Sequence, residues 1–546
     1  MRALRLFLVA ATALAAACLD DRTIATAPDG TTTVRAPLQL ALDARVVAAA
    51  AALDVRIYYL RSDGTTGDLL RRRMTLASGT QQLTLTVDAG PCLADARRLS
   101  PRGPNACVVG AALTLLNDAG AASDSTVVLP VEVGAGDART LGGGDLAVGQ
   151  SQWKQVSVGG YTSCGLWRDG AAWCWGNGET GQLGAIAGNQ RAPVRVAAAA
   201  RFAKVATGLG AACALTPLGA AWCWGLDAYG GLGRGSVSAQ RCTSPTVADR
   251  AEVSGTLPCG PTPQPVAGGL TFRDIAVGAV HACAISAAGR VYCWGLDAAA
   301  GVGGANPGQT AVPQPTAIAG ARTYESISAG PFHTCAVTAA GAAYCWGAND
   351  RGELGNGTSG SNAYSPVPVP VSGGLAFRAV SAGWKATCGV TVTDEAYCWG
   401  TNEHLQSGVD SRTSDANAYA APRRVALSQP VAQISAGWES ACAVTTAGAG
   451  YCWGSHALGK LGIGATAPQR CVAGNSAFAC SPLPAAVSGG LTFTRIEVGI
   501  DGACGVTRAG AAYCWGSDEF GQLGAARPSG SPSSPTPLAV RVPSAG

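Results

Sequence analysis

Charge is what this chain is shortest of. Only 13% of its 546 residues are Asp, Glu, Lys or Arg, and just four of them are Lys. The net charge of +4 is spread without a basic tail or stripe, so the electrostatic footprint of a nucleic-acid binder is missing. Histidine is as scarce: His281, His333, His404 and His456 are the whole supply, too few and too dispersed for the converging ligands of a metal site. No Gly-x-Ser-x-Gly elbow, phosphate-loop motif or His-Glu-x-x-His occurs, which removes the usual signatures of hydrolase, nucleotide-binding and metalloprotease chemistry. After the first 17 residues no apolar run is long enough for a membrane-spanning helix. The expectation is a protein with no cofactor, no metal site, no catalytic residues and no enzyme activity, the weaker alternative being an enzyme with an axial active site.

Glycine and cysteine are what is there, 75 and 21 of them. The segment Gly330–Gly355, GPFHTCAVTAAGAAYCWGANDRGELG, shows how they are used. Two β-prone runs, Thr334–Thr338 and Ala342–Trp346, are separated by Ala339-Ala340-Gly341. A three-residue link ending in Gly predicts a type I turn closed by a left-handed bulge residue. That turn pairs Thr338 with Ala342, and three pairs further on it sets Cys335 opposite Cys345. Alternation makes the cysteine pair non-hydrogen-bonded, with Cα atoms about 4.5 Å apart, within the span of a disulfide.

The unit occurs seven times, with cysteine pairs Cys164/Cys174, Cys213/Cys223, Cys283/Cys293, Cys335/Cys345, Cys388/Cys398, Cys442/Cys452 and Cys504/Cys514. Each second cysteine opens a Cys-Trp-Gly, and a Gly stands five residues before each first one: Gly159, Gly208, Gly278, Gly330, Gly383, Gly437 and Gly499. The turn Gly is present in six copies, and Asp394 replaces it in the fifth, a residue type that tolerates the left-handed conformation. Two long inter-repeat steps each carry an insertion with its own expected pair, Cys242/Cys259 and Cys471/Cys480. Cys92 and Cys107 flank a Pro-rich loop and are expected to pair, which leaves Cys18 alone. With no thiol to spare, an oxidising compartment is expected.

The runs Ala-Gly-x-x-His-Thr-x-Ala-Val-Thr and Tyr-x-Trp-Gly-x-Asn-x-x-Gly-x-Leu-Gly, clearest in Gly330–Gly355, resemble the regulator-of-chromosome-condensation repeat. The resemblance covers residues 151–546 and implies an all-β fold, a seven-bladed β-propeller of four-stranded blades around an axial channel. It implies less about activity, because one fold hosts many functions. The family's guanine-nucleotide exchange on a nuclear GTPase does not suit an exported chain.

Export is read from residues 1–17, a signal peptide with Arg2 and Arg5 ahead of the apolar Leu6–Ala17. Leu14-Ala15-Ala16-Ala17-Cys18 resembles a bacterial lipobox, departing from it at Ala15 where Leu or Val is usual. The competing reading is a plain secretory signal with an incidental cysteine. On the lipobox reading Cys18 carries lipid, and Leu19 after it implies outer-membrane or cell-surface sorting. Residues 18–33 read as a polar tether, 34–138 as a small immunoglobulin-like β-sandwich, and 139–150 as a Gly-rich linker. The sandwich rests on period-two runs such as Asp54–Leu60.

Within the propeller, features that recur are expected to serve the fold, and features that vary are expected to serve binding. The seven Cys-Trp-Gly tryptophans therefore read as blade-to-blade packing. His281 and His333, at one repeat position, read as a recurring local hydrogen bond. Asp350, Glu353, Asp518 and Glu519 read as turn caps rather than calcium ligands or an acid/base pair. Just after the repeat Gly the copies diverge. Trp384, Lys385, Trp438 and Glu439, with Phe332, Tyr161 and Asp501, have the composition of a protein-binding surface. The bland alternative is that each loop Trp folds onto its own blade. Strand parity puts these loops and both disulfide-closed insertions on one face, opposite the face where the chain enters and leaves. The expected partner is an extracytoplasmic protein or, as the alternative, a glycan of the cell wall. The membrane is met only through the lipid anchor, no nucleic acid is bound, and the chain is monomeric.

Overall fold

The computed structural model describes residues 153–541 apart from 186–187, 199, 245–254, 298–310, 410–416, 465–468, 474–475, 509 and 526–531, together with the strands lying between residues 25 and 140. The chain divides into two compact units, Met1–Gln150 and Ser151–Gly546.

In the fourth repeat the chain forms an antiparallel sheet from Ser326–Ala329, His333–Val337, Ala343–Ala348 and Tyr364–Pro370, in that order. The expected turn is present. Gly341 N–H bonds to Thr338 O at 2.9 Å and Thr338 N–H to Ala342 O at 3.0 Å, with Gly341 at φ +82° and its counterpart Asp394 at +63°.

The hairpin register sets the first cysteine of each repeat directly opposite the second, and all seven expected pairs are bonded. They are Cys164–Cys174, Cys213–Cys223, Cys283–Cys293 and Cys335–Cys345, then Cys388–Cys398, Cys442–Cys452 and Cys504–Cys514. Their Cα atoms lie 4.0–4.1 Å apart. That is closer than the ~4.5 Å of an unbridged non-hydrogen-bonded pair, because the bridge draws the strands together. The insertion pairs Cys242–Cys259 and Cys471–Cys480 are also bonded, at Cα separations of 5.8 and 5.9 Å. Cys18 and Cys92 lie outside the described residues, and with Cys92 goes the expected Cys92–Cys107 pair.

The seven sheets are the blades of a propeller. Their inner strands are Trp153–Val158, Lys204–Thr207, Phe272–Val277, Ser326–Ala329, Phe377–Ala382, Val431–Ala436 and Phe493–Val498. Five blades have four strands; blades 2 and 6 gain a fifth outermost strand from their insertions, Arg241–Ser244 and Gln469–Ala473. The other outer strands each carry at least one Pro, up to three in Tyr-Ser-Pro-Val-Pro-Val-Pro at 364–370, which removes donors from the exposed edge.

Why the ring closes is written in the repeat glycine. A Cβ on Gly159 would lie 2.0 Å from Gly208 O, and one on Gly208 would lie 1.9 Å from Gly278 O. The relation continues through Gly330, Gly383, Gly437 and Gly499, whose own Cβ would meet Gly159 O at 2.4 Å. Seven backbones converge on the axis where no side chain fits. Just below, side chains cap the free edges of the inner strands, which would otherwise leave donors unpaired. Ser328, Ser381 and Ser435 accept the N–H groups of Ala382, Ala436 and Val498 in the next blade at 2.9–3.0 Å. Gln433 both donates to and accepts from the backbone of Ile496.

The apolar cores lie between blades rather than within them. The disulfide Cys335–Cys345, with Val337 and Leu354, packs against Phe377 and Trp399 of the following blade. The last junction is built alike, from Cys504, Val506, Cys514 and Leu523 against Trp153 and Trp175.

In the first unit, Thr66–Thr75, Ala52–Leu60, Ala106–Leu116 and Ala122–Gly134 form one antiparallel sheet. Gln82–Asp88 pairs with Arg35–Ala41 in a second. Arg139–Thr140, inside the expected linker, adds a two-residue parallel edge to that second sheet. Ala25–Thr26 and Thr32–Thr33 pair within the expected tether.

Candidate binding face at the channel mouth

Beyond the glycine ring the chain turns from inner to second strand, and the next residue of each blade stands on the rim of the channel. Gly160, Leu209, Ala279, Pro331, Trp384, Trp438 and Ile500 surround an axial space of about 110 Å³. The neighbouring blade fixes their positions, since the backbone N–H of Trp384 bonds to Gly437 O at 3.0 Å and that of Gly160 to Gly208 O at 3.1 Å.

On this rim Trp384 and Trp438 stack, with ring centroids 4.0 Å apart and planes 1° from parallel. Phe332 meets Trp384 edge-to-face at 6.0 Å. All three are half-buried, so blades 4, 5 and 6 present one continuous aromatic row. The other expected binding residues divide. Lys385 stands beside the row and forms no ion pair among the described residues. Glu439 and Asp501 instead hold Lys460, whose Nζ lies 2.9 and 3.4 Å from their carboxylates and 3.3 Å from Ile500 O. Lys460 is only 2% exposed. Burial pushes the Glu439 carboxyl up, but the charge and hydrogen bond of Lys460, with His404 and Ser455, outweigh it and hold the group below its ordinary value. Tyr161 is apart from the row, edge-on to Phe520 at 5.1 Å.

The insertion of blade 6 shares this face. His404 Nε2 lies 3.5 Å from Glu439 Oε1, and its ring packs at 5.1 Å from Phe478, which belongs to the strand carrying Cys480. A larger hollow, about 640 Å³, opens at the other end of the propeller among Lys154, Lys204, Arg273 and Arg495. Three of those cations are already paired, with Asp274, Glu325 and Glu497.

The repeated aromatic residues do something else. The Cys-Trp-Gly tryptophans are fully buried. Six of them donate Nε1–H to the preceding blade, to the carbonyl of x in its Gly-x-Leu-Gly or variant loop. Trp399 bonds to Glu353 O at 2.8 Å, Trp453 to Gln406 O at 2.8 Å, and Trp175 closes the ring onto Gln522 O at 2.9 Å. For Trp346 the matching loop, within 298–310, is outside the described residues.

Two expectations change in detail. The histidine bond recurs but is not local: His281 and His333 reach Thr334 and Thr387 of the next blade, each at 2.9 Å. Thr387 donates its own proton to Glu353 O, so His333 Nε2 carries the hydrogen. Desolvation lowers these imidazoles to about 4 and about 3. Of the four acids, Asp518 is a turn cap, accepting Leu523 N–H at 3.1 Å. Asp350 is not, because the preceding Asn349 takes that place and accepts Leu354 N–H. Glu519 is exposed. Sequence reasoning passed over Lys460, which stands at the loop position x. A charged residue where the first, fifth and seventh repeats carry Gln182, Gln406 and Gln522 was the available signal.

Residues 153–182, 272–298, 324–353 and 377–406, and in a second form 169–215 and 340–390, match the regulator of chromosome condensation (RCC1) repeat. The ultraviolet-B receptor UVR8 of Arabidopsis thaliana is 29% identical over 267 residues, 48% of this chain and 57% of that protein. The chain thus spans little more than half of that relative. Among solved structures, yeast RCC1 (Prp20) bound to Kap60 superimposes with a TM-score of 0.56 at 20% identity, covering 68% of this chain and 83% of that one. Saccharomyces cerevisiae Prp20p gives 0.55 at 21% identity, with 68% and 85% covered. The matched segments and the closed ring of seven sheets agree: this propeller is similar to those of the regulator of chromosome condensation repeat family.

Proposed function

We propose that the propeller is a non-enzymatic protein-binding scaffold, and that its binding face is the channel mouth of blades 4 to 6. The observation that carries this reading is the stacked, half-exposed Trp384–Trp438 pair extended by Phe332. The two tryptophans occupy the position where blades 1 to 3 manage with Gly160, Leu209 and Ala279, so the fold does not require them. Half-buried aromatic anchors ringed by charge are what protein interfaces use. Solved propellers of similar fold are described as bound to Kap60 and as binding Gsp1p and histones. A glycan platform is the second reading. It is weaker because Trp384 and Trp438 spend one face each on one another, whereas a sugar platform presents its ring faces side by side and open.

The cellular setting belongs to the same proposal. Nine disulfides among the described residues suit an oxidising compartment. The first 18 residues support a bacterial lipoprotein, lipidated at Cys18, on the envelope. The seven main strands of the first unit, in sheets of four and three, support an immunoglobulin-like sandwich.

The test is capture from native envelope extract by the wild-type chain and by the Trp384→Ala/Trp438→Ala variant. The variant is expected to lose the captured protein while its melting temperature stays close to wild type. Undiminished capture overturns the reading, and so does binding to a glycan array that the double variant abolishes. Replacing Cys18 with Ser is expected to release the protein from the membrane fraction.

A further inference from the structure

Blade 4 departs from its siblings at one buried position. In blades 1, 5 and 7 the loop residue that receives the next tryptophan is Gln182, Gln406 or Gln522. Each folds its Oε1 back onto the N–H two residues earlier, that of Thr180, His404 or Phe520, at 2.8–2.9 Å. In blade 4 the residue is Glu353, and it makes the same bond, Oε2 to Arg351 N–H at 2.8 Å. An amide is enough for the turn, so the negative charge is surplus to it. That charge is also costly. Glu353 is 1% exposed, burial pushes its carboxyl up, and no cation pairs with it among the described residues.

Glu353 lines a hollow of about 380 Å³ on the binding face, beside the aromatic row. Phe332, Trp384 and Tyr364 supply aromatic walls, and Asp350 and Lys385 supply two more charges. Among the described residues neither Asp350 nor Lys385 forms an ion pair. Asp350 and Lys385 offset one another, and the Glu353 carboxyl, pushed up by burial and Asp350 and drawn down by Lys385, is left in the hollow without an ion-pair partner among the described residues. A buried carboxylate is stabilised by a matching cation that brings its own donors. Aromatic walls favour a planar cation that stacks as well as bonds.

We propose that this hollow receives a guanidinium group, an arginine side chain of the protein partner, between Trp384 and the carboxylates of Glu353 and Asp350. The inference rests on the reading of this face as a protein-binding surface and names the anchor the partner supplies. A flat fork of donors meets a carboxylate through two parallel bonds; the ammonium of a lysine neither stacks as well nor forks.

The test titrates Nα-acetyl-arginine amide into the full chain, followed by tryptophan fluorescence and calorimetry. Nα-acetyl-lysine amide and the uncharged isostere Nα-acetyl-citrulline amide serve as comparison probes. The arginine probe is expected to bind, the lysine probe more weakly, and citrulline not to register. Glu353→Gln installs the residue the sibling blades already use, so folding should survive. It is expected to weaken the arginine probe by about tenfold or more, and Asp350→Asn, at a half-exposed position, by less. Citrulline or lysine binding as tightly as arginine overturns the proposal, as does unchanged arginine binding in the Glu353→Gln chain. A folded Glu353→Gln chain that still captures the partner at full strength sinks the arginine anchor and leaves the face intact. Capture that survives loss of both rim tryptophans, with the arginine probe bound by the wild-type chain, sinks the face reading instead.

Discussion

Two populations of tryptophan share this ring and follow different rules. Seven recur in register after the second hairpin cysteine, and all are fully buried. Trp384 and Trp438 recur in neighbouring blades only and stay half-open. Six of the interior set are held by carbonyls of the preceding blade, and a disulfide of that blade packs against the ring, as at Trp399. The rim pair is held by its own stack. Repetition therefore reports what neighbouring blades need from each other, and departure from it reports what the molecule shows to others.

The sharpest way to break that contrast is to truncate one member of each set. Trp515→Ala removes a buried ring together with its bond to Lys460 O and is expected to cost about 3–5 kcal/mol, as large aromatic deletions in cores do. Trp438→Ala should cost less than about 1.5 kcal/mol, the range of one aromatic pair. Denaturant unfolding of both variants decides it, and equal losses would merge the two populations.

Acid sharpens the contrast, because His281 and His333 belong to the interior. Their native values, about 4 and about 3, lie below the ordinary imidazole value of 6.5. The unfolded chain then binds protons that the folded chain refuses. Stability is expected to be complete above about pH 6.5 and to fall as pH drops toward 4 and 3, by a few kcal/mol at pH 5. Urea midpoints at pH 7.5 and pH 5 measure it. The double variant His281→Gln/His333→Gln should flatten the dependence, and an undiminished slope would assign it elsewhere.

The smallest effect expected lies at the axis. Gly383→Ala would bring a Cβ to 2.4 Å from Gly437 O and should cost about 1–3 kcal/mol, as overpacking does. Gly360, with open space around its Cβ, should accept Ala within about 0.5 kcal/mol. Comparable melting temperatures for the two would mean that the axis yields more readily than its contacts imply.

Much of this was readable from residues alone, because it depends on local chain geometry. The C-x9-C spacing and Gly341 determine hairpin register, and strand parity places the rim loops and insertions on one face. What escaped depends on which loops meet across a blade boundary. Lys460 finds Glu439 at a separation of 21 residues and Asp501 at 41, and no sequence periodicity announces that. Asp350 reads as a cap because acids suit turns, yet Asn349 is the residue whose side chain bridges the loop. Glu353 looked like another cap. Only its comparison with three glutamines in the same geometry separates the bond the turn needs from the charge it does not.

The junction between the last blade and the first has a consequence for engineering. Val540, just past the final strand, packs with Trp153, at the start of the first, and Trp175 reaches back to Gln522 as its counterparts do elsewhere. The chain has a beginning, but the ring has none. Joining residue 541 to residue 153 and opening the chain at the exposed Gly373-Gly374 would rename every blade without altering one contact between them. Such a circular permutant should regain the same disulfides and the same aromatic row.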